Sequence, residues 1–162
     1  MKIVLIIYIV LGISIKYIPS TGTPPPMPII LSAATYDPET DSIITIGGTS
    51  ALFDLGNSDI YTFSLKDKFW HKVKPSSLFI PNYITNHKLY FRSDRKILIP
   101  SIYSEMLIFN LKDYSWSFSE VIGDSIASIE SYSIAQVPIN GSEGFVLFGG
   151  LDSKGFSISL FM

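Results

Sequence analysis

The sequence predicts an all-β chain built from a repeated antiparallel unit. Its 162 residues are 47% hydrophobic and 14% aromatic but only 16% charged, which suits a packed core. Short segments alternate apolar and polar residues and are separated by turn residues, the pattern of strands with one buried face. One pattern, Leu-Lys-Asp followed by two variable residues and Trp, occurs twice and ends at Trp70 and Trp116. That spacing of 46 residues lies in the range of structural repeats.

The chain begins with an apolar segment followed by a proline-rich linker. Residues 3–15 are uncharged and mostly apolar, which suits a secretory signal peptide because a spanning helix needs about 20 apolar residues. Gly12 and Ser14 are small enough to permit cleavage after Ser14. We therefore expect residues 1–18 to be a signal peptide or an N-terminal hydrophobic segment and residues 19–28 to be a Pro-rich linker. An uncleaved anchor or a buried first strand is the alternative.

This N-terminus predicts a secreted protein, or one in an extracellular or endomembrane location. The alternatives are a membrane-anchored protein, if the segment is not cleaved, and a cytoplasmic one. Contact with a membrane is expected only in the uncleaved case.

The first unit is expected to span residues 29–78. Its four predicted strands are residues 30–36, 43–46, 59–65 and 69–73. A turn containing Asp37 and Pro38 joins the first two, since these residues preset φ and bond the local backbone. Gly47 and Gly48 follow the second strand, and residues 49–58 are predicted to be a loop.

The second unit, residues 79–124, is a degenerate copy of the first. Phe109 and Trp116 stand in register with Phe63 and Trp70. The glycine pair is missing, because Pro100 and Ser101 occupy that place, so a shorter connection between the second and third strands is expected.

The third unit, residues 125–162, is partial. A hairpin is predicted around Asn140 and Gly141, a preferred two-residue turn. Gly149 and Gly150 follow its second strand, and a third strand is predicted at residues 157–161. No further Trp follows it.

Residues 29–162 resemble kelch repeats of the galactose-oxidase-like superfamily. The kelch unit is a four-stranded β-propeller blade with Gly-Gly after the second strand, an aromatic residue in the third and Trp at the start of the fourth. The resemblance implies about two and a half blades, whereas propellers usually close with about 4 to 8. A fragment of a longer propeller is therefore expected, with assembly from several chains as the alternative. The implied structural repeat residues are Gly47, Gly48, Phe63, Trp70, Phe109, Trp116, Gly149 and Gly150.

Composition argues against several classes of function. The absence of cysteine excludes disulfides, thiolate metal sites and cysteine nucleophiles. It also excludes the tyrosine–cysteine cross-link that the resemblance implies for the copper oxidases among kelch-like propellers. The net charge of -2 comes from 12 basic and 14 acidic residues without runs, so nucleic acid is not an expected partner. We expect no enzyme activity, no cofactor and no small-molecule substrate.

Two groups of polar residues resemble metal ligands but suit structural roles better. Asp37, Glu39 and Asp41 alternate like the start of a calcium loop, but the required Gly and the bidentate Glu are missing further along. A hairpin turn is the preferred interpretation. His71 and His87 lie in separate units without ligand spacing, so a structural or surface role is expected for each.

The expected function is that of a protein-interaction scaffold whose loops contact a partner of unknown identity. The candidate surface is residues 49–58, with Leu52, Phe53 and Leu55 as apolar contacts, although Phe53 would fit equally well inside the fold. The alternatives are a glycan-binding or oxidase-derived propeller module without catalytic residues, and a non-functional truncated copy. Asn140 begins a glycosylation pattern, but the same residues suit the hairpin turn.

Overall fold

All strand pairs in the described part of the chain are antiparallel. The computed structural model describes residues 29–50, 56–82, 84–100, 105–120, 132–139, 142–152, 155–156 and 160–161. Within these ranges the chain forms strands, turns and connecting segments without any helix, so the predicted all-β class is confirmed. Those ranges accordingly contain no helix suited to crossing a membrane.

The strands are numbered in chain order. They are β1 (Ile29–Ile30), β2 (Ala33–Asp37), β3 (Ser42–Ser50), β4 (Gly56–Ser64), β5 (Trp70–Val73), β6 (Tyr90–Arg92), β7 (Lys96–Pro100), β8 (Glu105–Asn110), β9 (Ser115–Glu120), β10 (Ser133–Ile139), β11 (Ser142–Phe148), β12 (Leu151–Asp152), β13 (Gly155–Phe156) and β14 (Leu160–Phe161).

The strands form three larger sheets that follow the order of the chain. The first sheet runs β1-β3-β4-β5, with β2 also paired to β3. The second sheet runs β6-β7-β8-β9, and the third runs β10-β11-β14. Strands β12 and β13 pair separately. Each larger sheet is therefore mostly a meander, in which consecutive strands lie side by side.

The two Leu-Lys-Asp segments fold into the same corner. Lys68 and Tyr114, which share a position in the repeat, both have positive φ, 62° and 57°. The amide of Leu65 donates to the carbonyl of Asp41 (3.0 Å), and the amide of Leu111 donates to that of Arg95 (2.9 Å). The repeat is therefore present in the backbone as well as in the sequence.

Each corner holds a matching aromatic pair. The ring centroids of Phe63 and Trp70 are 5.0 Å apart at 48°, and those of Phe109 and Trp116 are 4.9 Å apart at 49°. All four side chains are buried. Burial of such large aromatic surfaces gives these positions a structural role.

The main core forms where the first sheet packs against the second. Its buried members are Ile44, Ile46, Ile60, Ile84, Ile97, Ile99, Phe109, Leu111 and Trp116. Ile84 belongs to the segment that joins the two sheets. A smaller cluster around Tyr132 and Leu147 belongs to the third sheet, which contacts the second through the rings of Tyr90 and Phe145 (centroids 5.1 Å apart).

The glycine pair of the first unit lies inside a strand, not after one as predicted. Gly47 and Gly48 have φ of 62° and 104°, and the register of β3 with β4 shifts between Ile46 and Gly48. The amide of Gly48 donates to the carbonyl of Ile84 (2.7 Å). Glycine permits this bulge because it tolerates positive φ and leaves room for the approaching backbone.

The bulge explains two errors of sequence interpretation. The predicted loop at residues 49–58 is wrong at both ends, because β3 continues to Ser50 and β4 already begins at Gly56. The predicted strand at residues 30–36 is divided into β1 and β2 at Leu31, whose φ is 57°. The interruption lies opposite the bulge, so both strands adjust together.

The connection between the second and third strands is shorter in the second sheet. Asp41 and Arg95, which end equivalent turns, are 54 positions apart, whereas Phe63 and Phe109 are 46 apart. The second sheet is therefore eight residues shorter between these points. The loss agrees with its shorter strands β7 and β8.

Candidate docking surface

A connecting strap, residues 74–80, leaves the end of β5 and crosses to the outer edge of the second sheet. The amide and hydroxyl of Ser76 donate to the carbonyls of Tyr114 (2.9 Å) and Asp113 (2.7 Å). The hydroxyl oxygen of Ser77 accepts the amide of Trp116 (2.9 Å). These bonds fix the strap beside the start of β9.

The strap presents apolar side chains to solvent. Leu78 is fully exposed, and Phe79 and Ile80 are 43% and 45% exposed. Phe118 of β9, 54% exposed, meets Phe79 edge to face with ring centroids 5.7 Å apart. We call these four residues the outer patch. Single exposed apolar residues are ordinary, but a contiguous group containing two aromatic rings is typical of a binding surface.

A cleft of about 390 Å³ adjoins the outer patch. Its lining is mainly apolar and consists of Ser58, Asp59, Ile60, Lys72, Val73, Lys74, Pro75 and Ile80. Ile80 belongs to both the cleft and the outer patch, so the two are continuous. The volume falls in the range of pockets that accept a small ligand or a few side chains.

Two of the three charged groups at the cleft, Lys72 and Asp59, neutralise each other, and Lys74 adds a positive charge. The ammonium of Lys72 lies 2.7 Å from a carboxylate oxygen of Asp59 and 5.7 Å from the ring centroid of Tyr61. The hydrogen bond to Asp59 raises the pKa of Lys72, and burial, followed by the nearby Asp59 charge, raises the pKa of Tyr61. Both side chains therefore keep their protons at neutral pH. This arrangement suits contact with a partner better than proton transfer.

His87 is the most perturbed titratable group in the part of the chain that the structure describes. It is 7% exposed, and within the described residues neither ring nitrogen has a partner at full hydrogen-bond geometry. Burial lowers its pKa to about 4, an effect that the Ile46 backbone opposes and the charge of Lys88 reinforces. The ring is therefore neutral in the folded chain at neutral pH.

Acidification is expected to destabilise the fold through His87. The unfolded chain takes up this proton below about pH 6.5, whereas the folded chain resists protonation until about pH 4. Stability is therefore full above pH 6.5 and falls as pH falls, by about 2 kcal/mol between pH 7 and pH 5. Urea unfolding of wild type and His87→Leu at several pH values measures it. An equally steep loss in His87→Leu over this window would contradict the assignment.

The surface predicted from the sequence is described only at its ends. Thr49 and Ser50 are buried in β3. Leu52, Phe53 and Leu55 lie outside the described residues, as do Asn140, Gly141 and the whole of residues 1–28. The predicted third strand at residues 157–161 is described only at β14.

The residues that resembled a calcium loop bond to the protein instead. The carboxylate of Asp37 accepts bonds from the amide of Glu39 (3.0 Å), the hydroxyl of Thr40 (2.8 Å) and the guanidinium of Arg95 (2.6 Å). Asp41 accepts the hydroxyl of Tyr36 (2.9 Å). Across the described ranges no cluster of three or more potential metal ligands occurs. This geometry is that of a hairpin turn.

The repeat residues and the outer patch occupy different places. Phe63, Trp70 and Phe109 are buried, and Trp116, also buried, bonds to the strap through its amide. Sequence interpretation missed the outer patch altogether. The outer patch could have been recognised from the three consecutive apolar residues at 78–80, because a half-buried strand would alternate apolar and polar residues.

Comparisons with known proteins support the fold and nothing finer. No family model matches the chain, and no curated protein matches it. Among solved structures 73 chains match, including one titled "Structure of YjhT", with a TM-score of 0.64 and 10% sequence identity. The match covers 92% of this chain and 56% of that one, so this chain spans little more than half its length. At this identity the likeness concerns the fold alone.

Proposed function

We propose that this chain is a kelch-type β-propeller module that binds a protein partner through the outer patch. The observation that carries the proposal is a contiguous, exposed apolar surface held on a rigid support. The kelch assignment defines the scaffold, and the outer patch defines the binding surface.

The repeated corner supports the propeller assignment. Two consecutive meanders place the same aromatic pair at the same backbone turn and pack face to face. Gly47 and Gly48 adopt positive φ, as do Gly149 and Gly150 in the third unit. Consecutive sheets that stack and carry equivalent residues are what radial repetition of blades requires.

The rigidity of the strap supports binding by the outer patch. Ser76 and Ser77 hold it to the second sheet on either side of Tyr114, so little conformational freedom remains to be lost on association. Aromatic side chains dominate the energetics of interfaces, and Phe79 and Phe118 already contact one another before a partner arrives. A preformed surface of this kind favours binding.

Replacing Leu78 and Phe79 together by serine is expected to abolish partner binding without unfolding the protein. Both side chains are exposed, so their loss should change stability by less than about 1 kcal/mol. The measurement is quantitative recovery of proteins on immobilised full-length chain. Partners held by the outer patch should be recovered at least about tenfold less on the variant, since an aromatic anchor commonly contributes more than 1.4 kcal/mol.

Lys66→Ser with Lys112→Ser is the matched control, because both lysines are exposed at the two repeated corners and neither belongs to the outer patch. This double variant should recover the same proteins as wild type. Equal recovery on the Leu78/Phe79 variant would show that the outer patch is not the binding surface.

A further inference from the structure

Among the described residues, no strand pairs with the outer edge of β9 beyond Trp116. The amide of Trp116 points away from β8, because it donates to the hydroxyl of Ser77 in the strap. Amides alternate in direction along a strand, so those of Phe118 and Glu120 also point outward. Residues 117–120 are all exposed, and among the described residues the carbonyl of Glu120 accepts a bond from the neighbouring Ser119 hydroxyl (3.3 Å).

The equivalent edge of the first sheet is protected. Strand β5 has four residues, includes Lys72, and is followed by Lys74 and Pro75. Short length, lysine and proline are the usual means by which proteins prevent another strand from pairing with an edge. Strand β9 has six residues and contains neither lysine nor proline. The two edges are thus equivalent in the repeat but differ in whether they admit another strand.

The side chains along β9 define what would fit beside them. Phe118 and Glu120 lie on the same face of the sheet. Their cross-strand partners on β8 are Leu107 and Glu105, respectively. Two carboxylates directly opposite each other repel, and in the described part of the chain neither has an ion-pair partner. An apolar position is therefore followed, two residues along, by a position that favours a cation.

We propose that β9 accepts an extended segment of a protein partner as an additional strand. The segment carries an apolar side chain beside Phe118 and, two positions away, a lysine or arginine beside Glu120 and Glu105. Backbone bonds to the outward amides and carbonyls hold the strand, and alternate side chains give it specificity. Phe79, in contact with Phe118, enlarges the apolar surface that the partner's apolar side chain would meet. This inference rests on the proposed function and specifies the partner's chemistry and mode of binding.

The test uses the full-length chain and a labelled heptapeptide with lysine third, valine fifth and threonine elsewhere, so that an antiparallel strand places lysine beside Glu120 and valine beside Phe118. Binding is followed by fluorescence anisotropy. A matched peptide carries glutamate in place of lysine and should bind about threefold to fivefold more weakly, the range expected for a cross-strand charge pair. Glu120→Lys should reverse this preference. Asp67→Lys, which makes the same change in net charge at the corner between β4 and β5, should leave it intact.

A third peptide keeps the side chains but carries N-methyl groups on the amides of its third to fifth residues. Its binding should fall at least about tenfold, because strand addition needs those donors. Equal binding of the lysine and glutamate peptides, full binding of the methylated peptide, or no binding of any peptide would overturn strand addition. In that case the Leu78/Phe79 variant could still lose its natural partners, which would support binding by the outer patch. The experiments therefore distinguish failure of strand addition from failure of the proposed function.

Discussion

Replacing Gly47 by alanine is expected to destabilise the fold by about 3 kcal/mol or more. Two costs add. The residue has φ of 62°, a conformation that costs about 1 to 2 kcal/mol for residues with a Cβ. The new Cβ would also collide with the carbonyl oxygen of Ile84, which accepts the amide of Gly48. Relieving that collision must move the backbone that closes the main core.

Gly149→Ala is the matched control for this substitution. Gly149 has a similar φ of 71°, but a Cβ built there meets no atom within 4 Å. Only the conformational cost remains, so about 1 to 2 kcal/mol is expected. Urea unfolding of both variants measures the difference. Equal losses would show that close approach of Ile84 to Gly47 is unimportant and that positive φ alone constrains both glycines.

The two glycine positions show how far the sequence predicts the fold. The glycines recur in the sequence at a regular spacing together with the aromatic residues Phe63, Trp70, Phe109 and Trp116. This recurrence was sufficient to predict strands, corners and buried aromatic rings, because those features depend on local patterns. The extension of β3 through Gly47 to Ser50 was not predictable in this way. It depends on pairing with β1 and on the approach of Ile84, which are contacts between distant residues.

The candidate surface was missed for a similar reason. Residues 78–80 are apolar, and from sequence they would be assigned to a core. They are exposed because Ser76 and Ser77 bond to atoms 37 and 39 positions away, which holds the strap on the outside of the second sheet. Only the position of this strap distinguishes a buried apolar run from an exposed one.

The bond between Arg95 and Asp37 joins turns that are 58 positions apart and likewise has no signal in the sequence. It connects the hairpin turn of the second sheet to that of the first. The Asp37 side chain is 1% exposed and the Arg95 side chain 18% exposed, so the pair is almost removed from water. A second bond from Arg95 reaches Glu39 at 3.1 Å. The network joins the turns of the two sheets directly.

Arg95→Met is expected to cost about 3 to 5 kcal/mol, because the substitution leaves the Asp37 carboxylate buried without its cation. Methionine keeps much of the aliphatic stem, so lost packing contributes little. Arg92→Met is the matched control. Arg92 pairs with Asp94 at a partly exposed site, and Asp94 also pairs with Lys96, so removal of Arg92 should cost about 1 kcal/mol or less. Chemical denaturation of both variants at pH 7 provides the comparison.

The double variant Asp37→Asn with Arg95→Met separates charge from packing. Asparagine retains one oxygen that can accept the amide of Glu39, and its NH2 group, in place of the second oxygen, can donate to the hydroxyl oxygen of Thr40. It carries no charge to be neutralised. The double variant should therefore be more stable than Arg95→Met alone, since the burial of an unpaired charge is the dominant cost. Asp37 and Arg95 act independently if the double variant is less stable than wild type by the sum of the losses measured for Asp37→Asn and Arg95→Met alone. The turns of the two sheets would then be held together mainly by the core between them.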